Sequence, residues 1–244
     1  MNYKKSVLLI IFFVFSLFLG SGFADSTHVS FQTLNKKNKY TSFSFGMGAN
    51  YSNNPSLKNY IQYELPYYNI LTRDNQLSDF STGLEFFGGV EKQFSKNISA
   101  KVEYSYFLKS YNVKQNSQYD YSKYDFSYYN HQPFIIFYYV MHQEYSFIKI
   151  GAGTGYIYSQ FTVKEYGSEY SYSSNGFGLK TEIILNLQIG KSVAGYISGN
   201  ITKTFLSNLK DKSGKELLTN GTNETVNLSS FGMGIRLGVE IFIF

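Results

Sequence analysis

The residues able to do chemistry in this chain are few. Histidine occurs only at 28, 131 and 142, and cysteine is absent. Without thiolates a zinc cluster has almost no ligands. The chain likewise has neither a disulfide framework nor a cysteine to carry lipid. A hydrolase would need a histidine beside a serine, and His28-Val-Ser30 is the nearest approach to such a pair. It precedes the first strand pattern. His131, near Ser127, falls toward the end of a strand pattern, where a single imidazole is usually an exposed polar residue. The run Gly151-Ala-Gly-Thr-Gly155 lacks the final spacing of a G-x-G-x-x-G loop and lies inside a strand pattern. It reads as small inward residues that let side chains from the opposite wall fit. The sequence therefore predicts no catalytic residue, no cofactor and no metal.

Nine charged residues are more informative: Glu85, Glu91, Lys101, Glu103, Lys149, Lys180, Glu182, Arg236 and Glu240. Each occupies the polar positions of a period-2 pattern, so all nine share the inner side of a sheet. Four are basic and five acidic. Enclosed charges are costly unless paired, so near-balance predicts cross-lumen ion pairs. Glu103 and Lys101 should draw partners from Lys149, Lys180, Glu182 and Arg236.

The elements that position these charges are strands. Phe43, Phe45, Met47, Ala49 and Tyr51 alternate with Ser42, Ser44, Gly46, Gly48 and Asn50. The same design recurs at 83–94, 98–109, 148–158 and 177–187, with weaker patterns at 129–141, 193–205 and 228–244, eight strands in all. Aromatic content of 19%, all of it Tyr and Phe, with 21 Gly and 3 Pro, supports strands over helices. A ten-stranded version would need an extra hairpin over 60–71, which Pro66 disfavours.

At the N-terminus, Lys4 and Lys5 precede an apolar run from Val7 to Leu19, followed by Gly22 and Ala24. That is the layout of a secretory signal peptide over residues 1–24, the run being short of the roughly 20 residues of a spanning helix. Its removal takes two lysines and no acid, lowering the net charge from +5 to +3, too mild to imply nucleic acid. Residues 25–40 form a polar extension, expected in the periplasm, and 41–244 a single β-domain.

Connections decide what kind of β-domain. Long segments at 52–79, 109–128, 162–175 and 206–227 interleave with short ones at 95–97, 142–146 and 188–192. That alternation, an even strand number and an apolar outer face predict a transmembrane antiparallel up-and-down barrel, with short periplasmic turns and long extracellular loops. The hairpin Gly89-Val-Glu-Lys-Gln-Phe-Ser-Lys-Asn-Ile-Ser-Ala-Lys-Val-Glu-Tyr-Ser-Tyr106 and the last strand ending at Phe244 resemble the small outer-membrane barrels, the OmpA transmembrane domain, OmpX and OmpW among them. The resemblance implies a bacterial outer membrane, and Phe244 as the signal offered to the barrel-assembly machinery. Phe242 and Phe244 share a face with Arg236 and Glu240, so either the last strand carries a bulge or these rings point inward.

Eight strands leave an interior that side chains nearly fill, which predicts a plugged monomer. Tyr119, Tyr121, Tyr124, Tyr128, Tyr170 and Tyr172, set among Ser, Asn and Lys, are the candidate binding residues of the outer loops, for an extracellular ligand the sequence does not identify. A structural or surface-binding role follows. A narrow channel for small solutes or hydrophobic molecules is the alternative, with a lipid-modifying enzyme third.

Overall fold

The computed structural model describes residues 40–64, 81–116, 121–142, 146–165, 167–190, 192–220 and 222–243. The signal segment, the polar extension up to residue 39, His28-Val-Ser30, Tyr119 and Phe244 lie outside the described residues. Eight strands follow in order: β1 (Thr41–Asn53), β2 (Thr82–Ser95), β3 (Ile98–Asn116), β4 (Tyr121–His142), β5 (Ser146–Glu165), β6 (Ser168–Gln188), β7 (Val193–Leu206) and β8 (Ser230–Ile243). Among the described residues one helix, α1 (Pro55–Glu64), follows β1. Each strand pairs antiparallel with the next, and β8 returns to β1 from Thr41↔Ile243 to Asn53↔Phe231. The sheet is a closed barrel with no edge at membrane depth.

Alternation then sorts the side chains. Phe45, Met47, Val102, Phe137 and Ile235 stand exposed on the outer wall, while Ser42, Ser99, Lys101, Glu103 and Arg236 are buried within. Apolar outside and polar inside suits a barrel whose solvent is lipid. Phe43, Phe94 and Tyr139 mark the belt toward the short turns, and Tyr51, Tyr129 and Tyr158 mark it toward the long hairpins.

Inside, several aromatic rings lie over glycines of the neighbouring strand. A Cβ on Gly238 would fall 2.6 Å from the Tyr196 ring, one on Gly155 2.8 Å from Phe134, and one on Gly46 2.8 Å from Phe87. Gly46↔Phe87, Gly155↔Phe134 and Gly238↔Tyr196 are direct cross-strand pairs. The small residues thus make room for rings from the adjacent strand, where the sequence suggested the opposite wall.

Two further expectations are corrected, and a third is decided between its two alternatives. Segments 109–128 and 162–175 are mostly strand: β3 and β4 stay paired to Asn116↔Tyr121, and β5 and β6 to Glu165↔Ser168. Polar Tyr/Ser/Asn/Lys stretches suggest loops, but alternating beyond the membrane they make strands with a wet outer face. β4 runs 22 residues where about 9–11 cross a bilayer, so the β3–β6 wall rises well above it. Second, residues 55–64 form α1, with Pro55 at its first position, where a missing N–H costs nothing; no strand is described between β1 and β2. Third, β8 keeps continuous register with β1 and β7, and the register shift lies instead in β2 between Gln93 and Ser95. Phe242 accordingly points inward and packs edge-on against Tyr40 at 5.1 Å and near Phe147 at 5.9 Å.

The outer wall supplies a test. Val102 is 61% exposed midway along the apolar stretch of β3. Val102→Arg should destabilise the barrel by about 2–4 kcal/mol when urea titrations are run in lipid bilayers, and Val102→Leu should be near neutral.

Candidate functional site

The barrel interior holds two charge clusters, and Arg236 on β8 is the centre of the larger. Its Nε donates to Glu85 Oε2 at 3.0 Å and its Nη2 to the other oxygen of the same carboxylate, a bidentate grip. Nη1 donates to Glu103 Oε1 at 2.9 Å and to Glu182 Oε1 at 3.3 Å. One guanidinium thereby joins carboxylates from β2, β3 and β6. Lys180 Nζ donates to Glu103 Oε1 at 2.6 Å. Lys101 Nζ comes within 2.5 Å of Glu103 Oε2, in an orientation that pairs the charges without aligning a hydrogen bond. Tyr138 Oη and Ser198 Oγ donate to Glu182 at 2.6 and 2.8 Å, and Asn50 Nδ2 donates to Glu85. The Phe87 ring lies 4.7 Å from the guanidinium carbon, and Phe134 lies 4.9 Å from Lys180 Nζ.

The second cluster sits nearer the short turns. Lys149 Nζ donates to Glu91 Oε2 at 2.8 Å and to both oxygens of Glu240 at 2.8 and 3.0 Å. Ser42 Oγ donates to Glu240 Oε1 at 2.5 Å. Phe147 lies 5.3 Å from this ammonium. Below it Tyr40, Phe147 and Phe242 close the inner end.

Toward the long hairpins the lining is mostly of uncharged polar side chains, with Glu85 and Lys109 among them. Asn50, Asn130, Gln132, Thr202, Thr204 and Ser230 border a cavity of about 30 Å³, the room of a water molecule or two. Lys109 Nζ donates to Asn54 Oδ1 at 3.1 Å and lies 5.0 Å from the Tyr128 ring. Asn54 Nδ2 in turn donates to the Leu228 carbonyl. Beyond this layer α1 covers the mouth: Leu57, Tyr60 and Ile61 are buried in one core with Phe126, Phe161, Leu209, Val226 and Leu228. Tyr60 meets Phe161 edge-on at 5.9 Å. The β7–β8 connection that completes this cap turns at Asp211, whose carboxylate accepts from Ser213 Oγ, Ser213 N and Lys215 N. Those bonds, the Ser213 hydroxyl's foremost, hold the Asp211 carboxyl below its usual range.

The structure thus buries all nine sequence-predicted lumen residues and divides them. Glu85, Lys101, Glu103, Lys180, Glu182 and Arg236 come together; Glu91, Lys149 and Glu240 form the separate cluster, so Lys149 is no partner of Glu103. The tyrosines divide differently. Tyr124 and Tyr128 are buried in the outer core and are not surface contact residues, because β4 continues through them with even-numbered positions facing inward. Tyr170 is exposed, Tyr172 packs partly against the core, and of Tyr121 the structure gives only its place at the start of β4. The alternation over 98–109 puts Lys109 on the face of Lys101 and Glu103, where the structure buries it, although it was not counted among the lumen charges; α1 as a cap was missed. As for the imidazoles, His131 Nδ1 meets Tyr104 Oη at 2.5 Å on the outer wall, and His142 Nε2 meets the Lys96 carbonyl oxygen at 2.8 Å. Neither contact involves a serine.

No protein-family model and no curated protein matches the sequence. Among solved structures, the chain is similar to a major outer membrane protein from Thermus thermophilus, with 12% identity, TM-score 0.49, and coverage of 83% of this chain and 99% of that one. It is also similar to Ail, the attachment invasion locus protein of Yersinia pestis, with 12% identity, TM-score 0.45, and coverage of 85% and 100%. A third is the outer membrane protease OmpT from Escherichia coli, with 7% identity, TM-score 0.43, and coverage of 85% and 98%. The likeness is one of barrel architecture and extends to no activity. The described residues form a closed eight-stranded antiparallel barrel.

The larger cluster generates a prediction with an internal control. Arg236→Ala leaves Glu85, Glu103 and Glu182 without their shared cation and should cost about 3–5 kcal/mol in urea unfolding. Pairing Arg236→Met with Glu103→Gln, which removes one charge of each sign, should recover a good part of that loss. A double variant no more stable than Arg236→Ala would show that charge pairing is not what this arginine supplies.

Proposed function

We propose that this protein is a closed, non-conducting barrel of the bacterial outer membrane that holds an extracellular platform in place, with a structural or binding role at the cell surface. The observation that carries the reading is the filled bore. Arg236, Lys101, Lys149 and Lys180 and their five carboxylates are buried to 2% exposure or less inside the wall, and α1 covers the mouth above them. Desolvated ion pairs fixed by several partners are poor conduits, since an entering solute must break them without water to replace them. The orientation rests on the strands. Short turns after β2, β4 and β6 share an end with both barrel termini, and the raised β3–β6 wall stands at the other.

The binding half of the reading moves away from Tyr124 and Tyr128 to what the platform exposes. A cleft of about 500 Å³ is lined by Glu169, Tyr170, Ser171, Tyr172, Asp211, Lys212 and Ser213, between the upper end of β6 and the cap loop. Its volume suits a small polar ligand or a few residues of a peptide. A catalytic reading has less support: among the described residues no three acidic or imidazole side chains could hold a metal, and neither described histidine faces this cleft.

Two measurements test the proposal. The protein should fractionate with outer membranes and migrate at a different apparent size when left unboiled before gel electrophoresis; recovery as a soluble periplasmic protein would exclude the barrel role. In planar bilayers the wild type should show little steady conductance, while combined Lys149→Ala and Arg236→Ala should admit ions. Large, stable single-channel currents from the wild type would make the protein a channel, with the same charges as its filter.

A further inference from the structure

His131 is out of place for a residue on a lipid-facing wall. It stands on the outer surface of β4, paired across the sheet with Tyr106 on β3 and Tyr158 on β5. Below it on the same face come Ile135, Phe137 and Tyr139, all exposed to the surroundings of the barrel. Above it the face turns polar within a few residues, through Ser127 and Asp125. His131 therefore lies just inside the apolar belt, at the border with the headgroups on the side of the long hairpins.

Its surroundings are specific. Tyr104 Oη contacts Nδ1 at 2.5 Å. The rings of Tyr106, Tyr129, Tyr104 and Tyr158 surround the imidazole at centroid distances of 5.1, 5.9, 6.1 and 6.1 Å. Tyr104 Oη and His131 Nδ1 can share the proton either way; with the phenol as donor, the ring proton sits on Nε2. Among the described residues nothing pairs with Nε2. An ionisable side chain that faces a bilayer and is not satisfied by the protein itself marks a candidate functional site.

We infer that His131 and its ring of tyrosines form a binding site for the phosphate of an outer-leaflet lipid headgroup, with Nε2–H donating to a phosphate oxygen. The chemistry matches on both sides. A phosphate oxygen is a strong acceptor, and its charge strengthens the hydrogen bond. Tyr106, Tyr129 and Tyr158 bring further hydroxyls to the border while their rings stay against the upper acyl chains. Tyr104 acts as a positioning residue, holding the imidazole in the tautomer that donates outward. The site is independent of whether the lumen conducts and rests only on the outer wall facing lipid.

The test uses purified full-length protein in mixed micelles containing equal amounts of phosphatidylglycerol and of diacylglycerol with the same acyl chains. Native mass spectrometry then counts the lipids retained after detergent exchange. The wild type should retain phosphatidylglycerol over diacylglycerol by about tenfold, the effect of one charge-assisted hydrogen bond. His131→Phe keeps an aromatic ring, removes both nitrogens from the lipid face, and should bring the ratio near one while leaving heat-modifiable gel migration intact. Tyr104→Phe should lower the ratio in part. Equal retention of the two lipids by the wild type overturns the site with no variant needed. So does a His131→Phe protein that folds and keeps the wild-type ratio.

Discussion

Inside a bilayer a backbone N–H or C=O without a partner costs several kcal/mol, because no water is present to take its place. The pairing of β8 back onto β1, continuous over Thr41–Asn53, is thus the constraint on which everything else in this molecule depends. Closing the sheet with eight strands sets a bore too narrow for bulk water and just wide enough for side chains. It also fixes parity. Once one residue of a strand faces lipid, every second residue must face the bore, and these inward positions are where the sequence carries its carboxylates, ammonium groups and guanidinium.

A bore of that width full of charge is stable only if the charges find one another. Arginine suits the central place because its planar fork grips one carboxylate with two donors and still reaches carboxylates on two further strands, a fixed bidentate geometry an ammonium lacks. Arg236 reaches Glu85, Glu103 and Glu182 on three different strands. The network therefore ties strands together across the barrel as well as filling it, alongside the backbone ladder along the wall. Aromatic rings laid over cross-strand glycines serve the same packing. Without a Cβ at Gly238 or Gly155, Tyr196 and Phe134 can lie along the wall and leave the axis to the ion pairs.

This explains what could be read from the sequence and what could not. Parity is local: Lys101 and Glu103 two residues apart, against Val102 and Tyr104, already place charges on one face and apolar groups on the other. Partnership is global. That Lys149 meets Glu91 and Glu240 while Lys180 meets Glu103 depends on the stagger between strands, which no single strand pattern contains. The position of α1 was equally hidden, since its sequence, Pro-Ser-Leu-Lys-Asn-Tyr-Ile-Gln-Tyr-Glu, is short and only mildly amphipathic. Its helical state is supported by the burial of Leu57, Tyr60 and Ile61 against residues far away in the chain.

The tyrosine-rich stretches looked like loops for a related reason, visible along β5. In its lower half Lys149 faces in while Ile148 and Ile150 face out; in its upper half Ile157, Phe161 and Val163 face in while Lys164 faces out. The parity of the strand never changes, but the polarity of its faces inverts, and the inversion marks where the surrounding solvent changes from lipid to water. β4 does the same, with Ile135 and Phe137 outside below, and Tyr124 and Phe126 inside above. One continuous wall therefore folds under two regimes. The membrane half gains little from burying apolar surface, as its outer face remains in hydrocarbon, and is held by closure, ion pairs and ring packing. The cap half is an ordinary water-facing β-structure with an apolar core, stabilised by removing Phe126, Phe161, Leu57 and Ile61 from water. Because both halves share the same four strands, the ion-paired bore below keeps the strands in register for the apolar core above.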